Sequence, residues 1–159
     1  MFTRIGASDR ILEGKSTFFV ELEETKAIVE EASSNSLVIM DELGRGTSTF
    51  DGYSIALSVL RFLTAKTLCR TLFTTHYHMI VDDVKPLVSE EKVSLFHMAS
   101  QFDKASQELK FLYKFERGVA TQSFGITVAK MAGVPSCVLE KAAERAARFS
   151  SNLRGLRSV

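Results

Sequence analysis

The chain reads LVIMDE from Leu37 to Glu42, a short apolar run that ends in two adjacent carboxylates. A continuous apolar run of this length, bounded by turn signals, predicts a strand that is buried on both faces. Phosphoryl-transfer sites use such a strand end, with one carboxylate near the water shell of a magnesium ion and a second beside the attacking water. The alternative is that Asp41 and Glu42 only cap the next turn or face the solvent.

A second strand is predicted from Arg70 to His78, so that it ends in a pair of histidines. The intervening helix has Asp51 as its expected N-cap, and its predicted inner face is formed by Ile55, Val59, Leu60 and Leu63. Strand, helix and strand in this order predict a crossover unit, a parallel sheet and an α/β fold. Ligands of such sheets bind beyond the carboxyl ends of the strands, where Asp41, Glu42 and His76 are expected to converge.

The histidines also allow a different interpretation, a zinc site made of His76, His78 and His97. These residues lack a familiar zinc-ligand spacing, and the phosphoryl-transfer interpretation is favoured over it. A lone histidine at a strand end is more often a structural hydrogen-bonding residue than a catalyst. Here an Asp-Glu pair stands at the neighbouring strand end, which favours a functional role for His76.

The tripeptide Gly14-Lys15-Ser16 has the letters that end a P-loop, but the full pattern requires a glycine where this chain has Asp9. We therefore predict a helix start, capped by Ser16 or Thr17. The expected inner face of this helix consists of Phe18, Leu22, Thr25, Val29 and Ala32. Its N-terminus is a natural seat for an anion, and the alternative is an ordinary capped helix.

The remaining segments give a coarser prediction. Residues 1–14 are interpreted as irregular, and residues 86–91 as a polar connection. Two strands, Val93–Ala99 and Glu108–Phe115, are expected to pair antiparallel across a turn at Asp103–Gln107. The end of the chain predicts two helices around Gly133 and Pro135, a helix-turn-helix that we interpret as a plain helical hairpin in preference to a DNA-reading element.

Composition indicates an ordinary soluble globular domain. The chain has 159 residues, a formal net charge of +1, 45% hydrophobic and 25% charged residues, and no linker long enough to divide it. The net charge does not point to nucleic acid, and no apolar run approaches the length of a membrane span. The two cysteines, Cys69 and Cys137, read as reduced thiols in a cytosolic or nuclear protein.

Several motifs in sequence order resemble the MutS family of DNA mismatch-repair ATPases. They are FTRIGASD from Phe2, STF from Ser16, LVIMDELGRG from Leu37, TSTFDG from Thr47, TTHY from Thr74 and SFGITVAKMAGVP from Ser123. The resemblance covers nearly the whole chain and is specific. The segments Phe96–Ala99 and Phe111–Phe115 are most similar to the eukaryotic mispair-recognising homologue, the sixth of the family.

The resemblance implies an ABC-type P-loop ATPase fold and a role for each motif. Asp41 corresponds to the Walker B aspartate that holds the magnesium shell, Glu42 to the residue that polarises the attacking water, and His76 to the histidine that senses the terminal phosphate. Ser16 corresponds to the signature serine, which reaches the nucleotide of the opposite subunit, and Thr47 and Ser48 lie in the loop that crosses the dimer interface. The implied cofactors are ATP and Mg²⁺.

The family's P-loop is expected upstream of Phe2, together with the first strands of the sheet and the mismatch-reading domain. The chain therefore resembles the C-terminal part of a MutS protein. Residues 1–120 are expected to be part of its ATPase domain, with the signature, Walker B, D-loop and H-loop segments. Residues 121–159 are expected to be a helix-turn-helix dimerisation element. Alone, without the P-loop, the chain is expected to be inactive.

The resemblance favours one function and leaves a second open. The favoured function is part of a mismatch-repair protein that hydrolyses ATP to couple recognition of mismatched DNA to formation of a sliding clamp. The second is an inactive module that pairs with another MutS-type subunit and gives Ser16 to that partner's ATP site. A DNA-binding regulator built on the basic C-terminal helices ranks last. The expected partners are another MutS homologue and mismatched duplex DNA, bound through domains outside this chain, and the expected location is the nucleus.

Overall fold

The computed structural model describes residues 1–6, 14–90, 92–103, 108–120 and 123–156. These residues form two compact units, Met1–Ser94 and Leu95–Val159, which we describe one at a time. None of the helices in the described ranges is long and apolar enough to span a membrane.

The first unit contains a three-stranded parallel sheet in the order β1-β2-β3. Its strands are β1 (Phe2–Arg4), β2 (Leu37–Asp41) and β3 (Arg70–Thr74). In register, Phe2 lies opposite Val38, and Asp41 lies opposite Thr74. The predicted parallel sheet with a crossover helix is therefore confirmed, and the last residues of β2 and β3 lie side by side.

Two sequence-based expectations about these strands were wrong. Residues 2–4 were assigned to an irregular segment, yet they pair with β2. A segment of three residues is too short to show an alternation of apolar and polar side chains. The strand β1 is therefore recognised only by its pairing with β2. The strand β2 is also not buried on both faces. Val38 and Met40 are fully buried, whereas Leu37, on the opposite face, is 37% exposed.

Three helices accompany the sheet: α1 (Thr17–Glu31), α2 (Thr49–Phe62) and α3 (Ile80–Ser89). A π-helical turn, Leu63–Thr67, continues α2. Helix α3 is not predicted from the sequence, which indicates a polar connection at residues 86–91. Its Ile80 and Val84 are buried at helical spacing, and Pro86 is accommodated inside the helix.

The buried face of α1 differs in part from the predicted one. The predicted inner face of α2 is confirmed at Leu60 and Leu63, whereas Ile55 and Val59 are half-buried. In α1 the predicted inner residues Phe18, Leu22 and Val29 are only half-buried. The buried residues of this helix are Val20, Glu21, Thr25 and Ile28. In α2 the N-cap is Ser48 rather than Asp51. The Ser48 hydroxyl accepts the Asp51 amide at 3.3 Å and donates to the Asp51 carboxylate at 2.8 Å, which makes Asp51 the partner of the cap.

The second unit consists of an antiparallel strand pair and two helices. Its elements are β4 (Phe96–Asp103), β5 (Glu108–Arg117), α4 (Gly125–Met131) and α5 (Ser136–Leu156). The antiparallel pairing is confirmed, with β4 starting and ending later than predicted, and the turn residues 104–107 lie outside the described ranges. The register shifts between Met98 and Ser100, and Tyr113 adopts a φ of 53° there. Gly133, with a φ of 85°, follows α4 as predicted.

A buried chain of polar contacts holds the first unit together. The Arg4 guanidinium of β1 lies 3.4 Å from Glu21 of α1. The Glu21 carboxylate accepts the amide of Gly44, in the loop after β2, at 2.6 Å. The Gly44 carbonyl in turn accepts the Tyr77 hydroxyl, from the loop after β3, at 2.8 Å. These contacts fix both loops that leave the carboxyl end of the sheet.

The loop after β2 also passes very close to α2. Gly44 has a φ of 91°, and a Cβ at Gly44 or at Gly52 would overlap the backbone of the other glycine. A Cβ at Gly52 would also overlap the Tyr77 hydroxyl. Gly44 therefore requires glycine because of both space and its positive φ, and Gly52 requires it because of space alone.

We predict that Gly52→Ala destabilises the protein by about 2–3 kcal/mol, since the new methyl group meets backbone that cannot move aside. A matched control is Gly125→Ala, also in a helix, where the nearest atom to the new Cβ lies 3.8 Å away. That control should be neutral or stabilising by up to about 1 kcal/mol. Thermal unfolding followed by circular dichroism measures both, and equal midpoints would contradict the packing described here.

We further predict that Tyr77→Phe costs about 1–3 kcal/mol in free energy of unfolding, because the buried Gly44 carbonyl loses its donor.

Burial raises the pKa of the Tyr77 hydroxyl above its usual value of 10.0, and the nearby Glu21 carboxylate raises it further. A hydroxyl whose pKa is higher in the folded state than in the unfolded state stabilises the fold at pH values below the usual pKa. This contribution is lost as the pH increases through the raised pKa. Unfolding at about pH 9 and about pH 11 should therefore show a larger loss of stability in the unsubstituted chain than in Tyr77→Phe.

Candidate functional site

A hydrogen bond between Thr74 and Asp41 joins the carboxyl ends of β2 and β3. The Thr74 hydroxyl donates to Asp41 Oδ1 at 2.5 Å. The Glu42 amide lies 3.2 Å from the Thr74 carbonyl oxygen and 3.1 Å from the Thr74 hydroxyl oxygen. Asp41 and Glu42 thus stand at the edge where parallel sheets bind their ligands, as the sequence predicts.

Glu42 occupies an unusual backbone conformation, with a φ of 49°. A non-glycine residue in this region costs of order 1–3 kcal/mol, and such residues cluster at functional sites. Its carboxylate lies 2.7 Å from the Arg45 guanidinium in an ion pair whose Arg45 side chain is 75% exposed. An exposed pair of this kind contributes about 0–1 kcal/mol, so Arg45 holds the Glu42 carboxylate only weakly.

His76 lies two residues beyond β3, and the structure connects it to the acids only indirectly. Its ring contacts that of Tyr77, with the centroids 4.1 Å apart. Tyr77 then bonds to Gly44, in the loop that follows Glu42. These contacts link the loop of His76 to the loop that follows Glu42, and the convergence of His76 with Asp41 and Glu42 stays a prediction.

Ser16 is the N-cap of α1, as one of the two predicted caps. Its hydroxyl accepts the Phe19 amide at 3.2 Å, and the residue is exposed. The neighbouring Lys15 pairs with Glu23 at 2.9 Å and lies over the Phe19 ring, so its charge is directed along the helix. Ser16 stands at an accessible helix N-terminus, the position that suits an anion.

Thr47 and Ser48 lie in the loop between β2 and α2. Thr47 is half-buried, whereas Ser48 is exposed and caps α2. The adjacent Phe50 is 77% exposed. The loop and the start of α2 thus present the Ser48 side chain and the Phe50 ring to the solvent.

The oxygen atoms at the strand ends fit a magnesium site of the nucleotide-dependent kind. Asp41 and Thr74 are hard oxygen donors, and Mg²⁺ in such sites is held by one or two carboxylates, with waters and substrate phosphates completing the shell. Within the described ranges, no group of three or more His, Cys, Asp and Glu side chains is arranged for a metal ion. The described residues therefore offer no support for the zinc alternative.

Three residues that hold the site were not singled out by the sequence analysis. They are Arg4, Glu21 and Gly44, which bridge β1, α1 and the loop after β2. A signal for Glu21 exists in its helical spacing from Thr25 and Ile28, which places an acid on a buried face. The partners Arg4 and Gly44 are distant in sequence, so no local pattern predicts the contact.

The comparison with protein families gives the same assignment over most of the chain. The family model of MutS domain V, a P-loop ATPase domain, matches residues 1–150. All the candidate residues discussed above lie inside this match.

Individual relatives agree with the family match. The chain is 45% identical over 162 residues to the DNA mismatch repair protein Msh6 of Gallus gallus, covering 99% of this chain and 12% of the relative. It is 50% identical over 150 residues to MSH7 of Arabidopsis thaliana, covering 89% and 13%. It is 41% identical over 157 residues to MutS of a Rickettsia bellii strain, covering 98% and 17%.

The chain thus spans between 12% and 17% of the length of these three relatives. The family match covers most of its residues, and the strand ends, loops and helix caps described above fall within it. From these findings the chain belongs to the MutS family of DNA mismatch-repair proteins, as part of its ATPase domain.

Proposed function

We propose that this chain is part of a mismatch-repair protein that binds and hydrolyses ATP, coupling recognition of mismatched DNA to formation of a sliding clamp. The observation that carries the proposal is the junction of Asp41, Glu42 and Thr74 at the ends of two parallel strands. An ABC-type arrangement of the sheet is part of the proposal, with the P-loop contributed by a segment outside these residues.

Each strand-end residue has a distinct role in this proposal. Asp41, fixed by the Thr74 hydroxyl, holds the water shell of Mg²⁺, which when bound neutralises charge on the phosphates. Glu42 orients and polarises the attacking water, and a positioned base of this type contributes about 10²–10⁴-fold to the rate. His76, in the loop after β3, senses the terminal phosphate.

The proposed active assembly is a dimer with another MutS-type subunit. Exposed Ser16, Ser48 and Phe50 support an interface on this side of the first unit, where Ser16 reaches the partner's nucleotide and Thr47 lies in the crossing loop. In the second unit, exposed apolar side chains support a dimerisation element within residues 121–159. These side chains are Ile126, Val128, Met131, Val138 and Phe149.

A second candidate function uses the same surfaces without hydrolysis. The chain would act as an interaction module that gives Ser16 to a partner's ATP site. The exposed apolar side chains on α4 and α5 suit a helical interface and support this candidate as well as the first. In either case mismatched duplex DNA is bound by other parts of the protein, and we propose a nuclear location, as expected of a eukaryotic repair subunit.

Replacing Glu42 by Gln tests the catalytic proposal. In the complete protein, paired with a subunit whose own site is silenced, Glu42→Gln should retain ATP binding and lose about 10²-fold or more of its turnover, since an amide cannot accept the proton. Glu30→Gln is the control, because Glu30 is an exposed acid on α1 whose ion pair, among the residues that the structure describes, is with Lys26 at 3.9 Å. Unchanged steady-state hydrolysis in Glu42→Gln would contradict the assigned role.

Removing residues 121–159 tests the partner proposal. We expect co-purification with the MutS-type partner to be lost, and Val138→Glu, which places a charge at a residue that is 50% exposed, to weaken it without removing a helix. Removing only residues 157–159 serves as the control. Full retention of the partner by both the deletion and Val138→Glu would contradict this interface.

A further inference from the structure

Glu21 is a buried acid with contacts on two sides. It is 4% exposed, although it lies on a helix whose other acids are mainly at the surface. A buried carboxylate is tolerated only when it is paired and hydrogen-bonded. Its Oε2 lies 3.4 Å from the Arg4 guanidinium, and its Oε1 accepts the Gly44 amide at 2.6 Å. The second contact is the informative one, because it reaches the loop that carries Glu42.

The contacts at Gly44 fix the backbone on both sides of this residue. The Gly44 amide belongs to the peptide that joins it to Leu43, and Glu21 holds that peptide. The Gly44 carbonyl belongs to the peptide that joins it to Arg45, and the Tyr77 hydroxyl holds it at 2.8 Å. Two adjacent peptide planes are therefore held by side chains from two other elements.

The second of these peptide groups, between Gly44 and Arg45, is also hydrogen-bonded to Glu42. The amide of Arg45 donates to the Glu42 carbonyl at 3.3 Å, which closes a turn. The same peptide is thus held at its oxygen by Tyr77 and at its nitrogen by Glu42. Since Glu42 has a φ of 49°, its conformation needs support from its surroundings, and this turn supplies it.

We propose that Glu21 is a positioning residue for Glu42, acting through Gly44 and the turn that follows β2. The inference rests on the proposed function, because it concerns the orientation of the residue assigned to the attacking water. Glu21 touches neither nucleotide nor water in this role. It restrains the loop so that the Glu42 carboxylate, which Arg45 holds only weakly, is presented in one orientation for catalysis.

Glu24 provides a matched comparison on the same helix. Its carboxylate lies 3.3 Å from Nε of Arg4, so it shares one partner with Glu21. Its side chain is 44% exposed, and its contact is with β1 rather than with the loop after β2. Removing Glu24 therefore disturbs the ion pairs of Arg4 and leaves the bond to Gly44 in place.

The test compares Glu21→Ala, Glu21→Gln and Glu24→Ala in the complete protein with a partner whose site is silenced. Glu21→Ala should lower kcat about 10-fold or more and leave KM for ATP within about 2-fold, since only the orientation of Glu42 is lost. Glu21→Gln keeps an oxygen that accepts the Gly44 amide and should lose about 3-fold or less in kcat. Glu24→Ala should remain within about 2-fold of the unsubstituted complex.

Deuterium uptake of the peptide spanning residues 42–46, in the same complexes without nucleotide, gives a readout that does not depend on hydrolysis. Uptake should increase in Glu21→Ala and stay unchanged in Glu24→Ala, because only the first variant releases the Gly44 amide. Tyr77→Phe, which frees the other side of Gly44, should also increase the uptake and lower kcat. This variant keeps the test decisive if Glu21→Ala does not fold.

Several results would overturn the inference. They are equal losses of kcat in Glu21→Ala and Glu24→Ala, a loss in Glu21→Gln as large as in Glu21→Ala, or unchanged uptake of residues 42–46 in both Glu21→Ala and Tyr77→Phe. Absence of hydrolysis in the unsubstituted complex would instead contradict the proposed function, and the positioning role with it. Increased uptake with unchanged kcat would overturn the inference while leaving the proposed function intact.

Discussion

The hydrogen bond between the Gly44 amide and the buried Glu21 carboxylate connects the elements on which the candidate site depends. Glu21 belongs to the helix that starts at Ser16, and Gly44 belongs to the loop that follows Asp41 and Glu42. Arg4 pairs with the same carboxylate from β1, so its charge is compensated inside the unit. Tyr77 completes the arrangement from the loop that carries His76. The strand β1, the helix α1 and the loops after β2 and β3 are thereby held in one geometry.

This geometry explains how an ordinary crossover unit can present several functional groups at once. The parallel register places Asp41 beside Thr74, and the Thr74 hydroxyl fixes the carboxylate. The glycines at 44 and 52 let the loop pass against α2, so the same helix start presents Ser48 and Phe50 to the solvent. The groups that we propose for the chain's own nucleotide and those that we propose for a partner's nucleotide therefore share one framework, as the proposed dimer requires.

The end of β2 could be predicted from the sequence because an apolar run ending in Asp41 and Glu42 is a local signal. The cap of α1 was predicted at Ser16 or Thr17 for the same reason, since a cap is defined by its immediate neighbours, and the structure selects Ser16. The end of β3 was predicted wrongly, since the strand ends at Thr74 and not at the histidine pair. The strand β1 and the Glu21 contact could not be predicted, because both depend on partners far away in the chain. Helix α3 was missed because Asp82, Asp83 and Pro86 obscure the spacing of its buried Ile80 and Val84.

A crystal structure of the complete protein with its partner, a non-hydrolysable ATP analogue and Mg²⁺ would test the proposed site most directly. We expect the Asp41 carboxylate to lie within hydrogen-bond distance of a water bound to the metal. We also expect the Glu42 carboxylate to face the terminal phosphate and the Gly44 amide to remain bonded to Glu21. A nucleotide bound away from the ends of β2 and β3, with both acids directed into the solvent, would contradict the proposed site.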